Sequence, residues 1–194
     1  MRYAKDHKEQ ARASILAAAG RRLKEKGFHG VGVDGLASAA GVTSGAIYSH
    51  FGSKEAFLEE VIRAQVGVEF GVLDGLEAVE RRRALVEFLH DYLGDEHCEA
   101  VADGCVMLAL TADVARAGES VRGVYQLRIS RLVALLIPAM PGDVEEQKRR
   151  AWAVVAAIVG AVGIARALPD EAHSRAVREA TLRSVEMIIG GALV

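Results

Sequence analysis

The chain has 194 residues, 51% of them hydrophobic and 5% aromatic, with three prolines and a formal net charge of −2. That is enough apolar material for a substantial core, which excludes a disordered chain, and too few aromatic residues for a β-sandwich. The small net charge conceals a division: residues 1–30 hold eight Lys and Arg against three Asp and Glu, a net +5, so the remainder carries −7. A basic front on an acidic body suits a protein that meets a polyanion at one end only. Cys98 and Cys105 are too few for a disulfide framework and fit a reducing cytoplasm. The opening MRYAKDHKEQ lacks the apolar core of a signal peptide. The longest uncharged apolar run, Ala151 to Ala165, falls short of the roughly 18–20 residues that a membrane crossing requires.

Apolar residues recur at the helical period along nearly the whole chain, which predicts an all-α fold of about nine helices. The first is expected from Lys8 to Lys26, with Ile15, Leu16, Ala19 and Leu23 on one side and Gly27 as its C-cap. Two short helices follow near 33–40 and 44–50, and Ser53 caps a longer one running from Lys54 toward Gly71. Further helical patterns occupy 79–95, 105–117 and 119–139, the third stopped by Pro138, Pro141 and Gly142. Asp143-Val-Glu-Glu146 has the spacing of a capping box and opens a helix to Leu168. Pro169-Asp170 punctuates before a final helix to about Ile189. Small residues and turn signals give way to long helices near residues 50–60, and the boundary is expected to divide a head of residues 1–53 from a body of residues 54–194.

Within the head, two helices meeting near a right angle need a small residue at their contact, a glycine at the corner and an apolar anchor beyond it. Ala37, Gly41 and Ile47 meet those needs at the spacing of a DNA-binding helix-turn-helix, and Thr43 caps the second helix. Tyr48 and His50 carry polar tips able to donate to a phosphate oxygen. Lys54 stands at a helix N-terminus, where backbone N–H groups already favour an anion.

Residues 27–58, GFHGVGVDGLASAAGVTSGAIYSHFGSKEAFL, resemble the TetR family of bacterial transcriptional repressors, above all in Ala40-Gly41-Val42-Thr43-x-Gly45-x-Ile47-Tyr48-x-His50-Phe51-x-x-Lys54-Glu55. The resemblance implies a homodimer, each subunit carrying a three-helix DNA-binding head on a larger helical body. That body would bind an effector and dimerise through the last two helices. It also implies that Thr43, Tyr48, His50 and Lys54 contact phosphates, and that Ser44, Gly45, Ala46 and Ser49 face base edges. Where many relatives carry Lys or Arg at position 44 and Ser or Thr at 46, this chain has Ser44 and Ala46. Neither can make a bidentate contact to guanine. Gly32 stands where a hydroxyl cap is common, weakening the start of the second helix by a few tenths of a kcal/mol.

In the body, Phe88, Tyr92, Met107, Tyr125, Arg128 and Trp152 are candidates for an effector pocket, combining apolar walls with a few polar tips. Cys105 is a further candidate, and also the basis of an alternative: a thiol in the first turn of a helix, sensing oxidants or electrophiles, with Cys98 as resolving partner. Small residues crowd the helix at 144–168 (Ala153, Ala156, Ala157, Gly160, Ala161, Gly163), which with the final helix suits a four-helix bundle between two copies. Arg81-Arg82-Arg83 and Lys148-Arg149-Arg150 read as solvated helix faces. A helical enzyme is the remote alternative, but there is no Gly-rich phosphate loop, metal-ligand pair or catalytic carboxylate motif, so no cofactor, metal or catalytic residue is expected. The expectation is a cytoplasmic, non-membrane regulator that binds an operator in duplex DNA.

Overall fold

A computed structural model of the chain describes residues 2–190, and among them every regular element is helical. The α-helices among these residues are α1 (Arg2–Gly30), α2 (Val33–Ala39), α3 (Ser44–Phe51), α4 (Lys54–Gln65), α5 (Ala78–Tyr92), α6 (Asp95–Glu99), α7 (Val106–Arg116), α8 (Glu119–Leu136), α9 (Val144–Ala167) and α10 (Glu171–Ile189). Short 3-10 segments lie at Val68–Leu73 and Ile137–Ala139. The chain forms two compact units. One runs to Val66 and takes in Cys105–Leu127; the other joins Gly67–Gly104 to the residues from Arg128 onward.

In the first unit, α1 packs against α2, α4 and α7. Ile15, Ala19 and Leu23 form its buried face, meeting a core that includes Leu36, Ile47, Phe57, Leu58, Val61 and Ile62. Full burial of each larger side chain contributes about 1.5–3 kcal/mol. Phe51 meets Phe57 edge to face, with ring centroids 4.9 Å apart. The helical path of α1 breaks at Gly27, which adopts φ +71° and ψ 167°. The break deprives the Phe28 N–H of a helical acceptor. Asp113 on α7, only 7% exposed, supplies one: its Oδ2 accepts the Phe28 N–H at 2.9 Å, while Oδ1 accepts from Arg116 at 3.2 Å.

In the second unit, α9 and α10 pack along each other, and α5 contacts α10. Leu85, Leu89, Val154, Ile158, Val162, Val185 and Ile189 fill the space between. Arginines close the ends of these helices. The guanidinium of Arg81 donates to the carbonyls of Leu76 and Leu135, and Arg82 to that of Ala139. Arg150 donates to Ile188 O at 2.7 Å, Arg178 to Leu93 O at 2.8 Å, and Arg166 to Cys98 O at 2.7 Å. The last carbonyls of a helix have no partner within it and carry partial negative charge, so a guanidinium from a neighbouring helix both satisfies and neutralises them. The reading of Arg81, Arg82 and Arg150 as solvated residues is therefore corrected. Only the other members of those runs fit it, Arg83, Lys148 and Arg149 being exposed.

Several boundaries also differ from expectation. The first helix begins well before Lys8. α4 ends at Gln65, short of Gly71, because Val66 turns extended and Gly67 enters the left-handed region at φ +73°. α6 is an additional helix of five residues after Gly94. Caps behave as their residue types require: the side chains of Thr43, Ser53, Asp143 and Asp170 each accept a backbone N–H three residues on. Gly32 provides no side-chain cap. The carboxylate of Glu146 turns to Arg149 and Arg150. α9 is long and apolar enough to cross a membrane by composition, yet seven of its residues are buried within the protein.

Two glycines with similar backbones separate strain from crowding. At Gly41, φ +66° with open space around it, Ala should cost only the left-handed penalty of about 1–2 kcal/mol. At Gly27 the added Cβ would also lie 3.3 Å from Asp113 Oδ2. Urea unfolding should show a larger fall in midpoint for Gly27→Ala than for Gly41→Ala; equal falls would mean that the Asp113 contact has no weight.

Candidate nucleic-acid interface

The surface of interest is built by three short-range devices. Gly41, with φ +66°, turns the chain out of α2, and Ala37, 2% exposed, leaves room for the two helices to approach. The Thr43 hydroxyl accepts the Ala46 N–H at 3.3 Å and starts α3. Ile47 and Phe51, both buried, then fix which face of α3 turns inward. What remains outward follows from that anchoring. Tyr48 is 52% exposed, Thr43, Gly45 and Ser49 are exposed, and Ser44, Ala46 and His50 are half-buried.

Ser44, like Thr43, is already engaged in a hydrogen bond. Ser44 donates its hydroxyl to the Asp34 carboxylate, joining the start of α3 to the first turn of α2. The His50 ring sits 6.2 Å from Phe51, and its Nδ1 is shut away from solvent without a hydrogen-bond partner. Lys54, half-buried at the start of α4, holds its Nζ 4.2 Å from the centroid of the Phe28 ring. Cation and ring attract here, with the ring restricting where the ammonium goes. Arg12 makes a comparable contact from α1, its guanidinium 4.9 Å from the Phe51 ring and 2.8 Å from Glu60. Thr43, Ser44, Gly45, Ala46, Tyr48, Ser49 and His50 thus all belong to α3 and its N-cap, and Lys54 follows at the start of α4. Such a surface combines a helix of groove-entering size, hydroxyl and ring N–H donors, and a cation beside a helix N-terminus.

The effector-pocket candidates are more scattered. Phe88 and Tyr92 line a hollow of about 550 Å³ in the second unit, together with His97, Asp91, Asp95 and Glu96. Tyr92 stacks on His97 with ring centroids 4.3 Å apart, a contact that residue type alone did not disclose. Tyr125 lines a separate hollow of about 480 Å³ in the first unit with Thr111, Val114, Glu119 and Arg122. Its hydroxyl lies 2.8 Å from that of Thr111. Met107 is fully buried, Arg128 is half-buried, and Trp152 is 41% exposed on α9. Cys105 sits at the N-cap of α7 and, like Cys98, is buried. Burial keeps both thiols from solvent oxidants, so the thiol-sensor alternative is not favoured. Among the described residues, no cluster of His, Cys, Asp or Glu could hold a metal ion.

Burial pushes the Tyr125 phenol above its ordinary value; the Thr111 hydrogen bond pulls it partly back, and Cys105 adds to the rise. The folded state therefore favours the neutral phenol. The stability this contributes is complete below the unfolded pKa of about 10 and is lost as pH climbs through the higher folded value. A difference titration of phenolate absorbance, native protein minus Tyr125→Phe, should give a midpoint above that of free tyrosine. A midpoint at or below that value would contradict the buried setting.

Residues 15–61 match the family model described as bacterial regulatory proteins, tetR family. The chain is 32% identical over 95 residues to the transcriptional repressor KstR2 of Rhodococcus jostii, covering 46% of this chain and 47% of that protein. It is 32% identical over 91 residues to the transcriptional activator FasR of Mycolicibacterium smegmatis, covering 44% of this chain and 42% of that one. These matches span about half the length of those relatives. A longer one, 29% identical over 140 residues and 69% of each chain, is to the transcriptional repressor NemR of Escherichia coli. The crystal structure of reduced NemR has the same fold, with a TM-score of 0.74, 22% identity, and 95% of this chain and all of that one covered.

Proposed function

Since this chain belongs to the TetR family of bacterial regulatory proteins, we propose that it is a DNA-binding transcriptional regulator, a repressor that a small-molecule effector releases from a near-palindromic operator. The outward face of α3, bounded by Thr43 and Lys54 and carrying an exposed Tyr48, is the observation that carries this reading. In it, α3 enters the major groove; Tyr48, Lys54, Thr43 and His50, the last through Nε2, meet phosphates; Ser44, Gly45, Ala46 and Ser49 face the bases. Residues 1–53 act as the head and 54–194 as the effector-binding and dimerising body, in the cytoplasm where its DNA lies.

A twofold dimer sets two α3 helices about 34–36 Å apart, one turn of the duplex. Its contact is proposed along α9 and α10, where Trp152, Ile164 and Met187 stand exposed on the second unit. Large apolar side chains grouped on one helix pair are what a partner copy covers. The hollows beside Tyr92 and Tyr125 are the candidate effector sites. An effector favouring one α3 separation over another weakens DNA affinity by its differential binding to the two states.

Purified protein should bind the duplex upstream of its own gene more tightly than mixed-sequence duplex, with affinity falling steeply as salt rises. Tyr48→Ala and Lys54→Ala should each weaken binding to both duplexes while leaving helicity unchanged, and Lys54→Ala, which removes a cation, should also lower the salt slope by about one phosphate equivalent. Equal affinity for the two duplexes would remove the operator-binding reading. Deleting the gene should raise expression of the adjacent transcription unit; a fall would make the protein an activator.

Sedimentation should give a dimer that Ile164→Glu or Met187→Glu converts to monomer. A native protein that sediments as a monomer would overturn the proposed pairing.

A further inference from the structure

Asp113 lies outside the helix-turn-helix, on α7, yet it is joined to a DNA-facing residue by a short chain of contacts within the first unit. Its carboxylate accepts the Phe28 N–H at 2.9 Å, at the point where Gly27 has turned the backbone out of α1. The Phe28 ring, 8% exposed, is thereby held in place, and the Lys54 ammonium stands 4.2 Å from its centroid. We infer that Asp113 is a positioning residue for DNA binding, setting the Lys54 ammonium for a phosphate by fixing the backbone that carries the Phe28 ring. The inference rests on the proposed DNA-binding reading.

Three observations support it. The bond is buried and spans 85 residues of sequence, so it ties α7 to the α1 break and does nothing for local helix formation. Gly27 leaves so little room that a Cβ would press on the same carboxylate oxygen. The second carboxylate oxygen is occupied by Arg116, which fixes the side chain and leaves Oδ2 for Phe28. A lysine stem is flexible, and an ammonium free to wander gives up side-chain entropy when it meets a phosphate. One already resting against a fixed ring gives up less. α7 also carries Thr111, whose hydroxyl meets Tyr125 in the 480 Å³ hollow, so a ligand there would act on the helix that holds Phe28.

The test is a double-mutant cycle read as salt dependence on a short mixed-sequence duplex, because phosphate contacts need no operator sequence. Asp113→Ala should lower affinity several-fold and reduce the salt slope by about 0.9, the equivalent of one phosphate. In a Lys54→Ala background the same change should have no further effect on either quantity. Asp113→Asn, whose amide oxygen still accepts the Phe28 N–H, should restore most of the slope. Phe28→Leu keeps an apolar side chain and the N–H but removes the ring; it should show the same loss, and it carries the test if Asp113→Ala fails to fold. A folded Asp113→Ala or Phe28→Leu protein with the native slope, or losses that add to those of Lys54→Ala, would overturn the inference. A native protein with no salt-dependent DNA binding would instead overturn the functional reading beneath it.

Discussion

A single buried carboxylate, Asp113, accepting one backbone N–H at the break in α1 is the contact that the first unit turns on. Left without an acceptor, that buried N–H would cost about 1–3 kcal/mol, and a buried carboxylate without donors would cost more. Each removes the other's penalty, and Arg116 meets the remaining oxygen. The consequence is topological as well as energetic. α7 is separated from α4 by some forty residues that belong to the other unit, but it packs on α1 within the same compact body, and the bond ties it to the break in α1. The break in α1 is therefore a feature fixed by two partners, Gly27 and Asp113, and the Phe28 ring beneath Lys54 inherits its position from both.

The second unit solves the complementary problem. Its helices end in unpaired carbonyls, and guanidinium groups from neighbouring helices satisfy them: Arg81 and Arg82 at the end of α8 and the 3-10 turn beyond it, Arg178 at the end of α5, Arg150 at the end of α10. Arg is suited to this because its planar fork carries five donors and stays charged at any ordinary pH. A carboxylate accepts from N–H in one unit, and guanidinium groups donate to C=O in the other. Both exploit the partial charges left at helix ends, so electrostatics here fixes geometry first and adds stability second.

What could be read in the sequence is what depends on neighbours along the chain. Thr43, Ser53, Asp143 and Asp170 cap because an oxygen two bonds from the backbone reaches an N–H three residues ahead, and nothing distant can alter that. Gly41 turns and Ile47 anchors for reasons contained within ten residues. The same is true of the outward set from Thr43 to Lys54, whose exposure follows once Ile47 and Phe51 are inside. Asp113 is different. On the sequence it is one polar residue in an apolar helix, and its partner is 85 positions away. Arg81 and Arg82 look like any solvated basic pair until α8 is placed beside them. The end of α4 is hidden in the sequence because Val66, Val68 and Phe70 prolong an apolar pattern through Gly67, which has already left the helix. Residue type marks Tyr92 and Tyr125 as able to line a pocket, but type does not say that Tyr92 faces His97 or that Tyr125 meets Thr111.

The composition of α3 bears on how a protein of this kind would tell one duplex from another. Ser44 gives its hydroxyl proton to Asp34, Gly45 has no side chain, and Ala46 offers only a methyl group. A methyl can touch the thymine methyl, and Ser44 can accept through its oxygen, but bidentate recognition of guanine or adenine is beyond all three. Under the proposed function, with only the single hydroxyls of Ser44 and Ser49 open to hydrogen-bond base edges, discrimination rests on where the phosphates lie, which depends on groove width and on how readily a sequence bends. On that proposal, residues that fix Tyr48 and Lys54 govern selectivity as well as affinity. A displacement of Lys54 or Tyr48 by an ångström changes which duplex shapes are met without strain, while α3 itself is unaltered. With α3 as the proposed recognition helix, the packing behind the surface is part of the reading head.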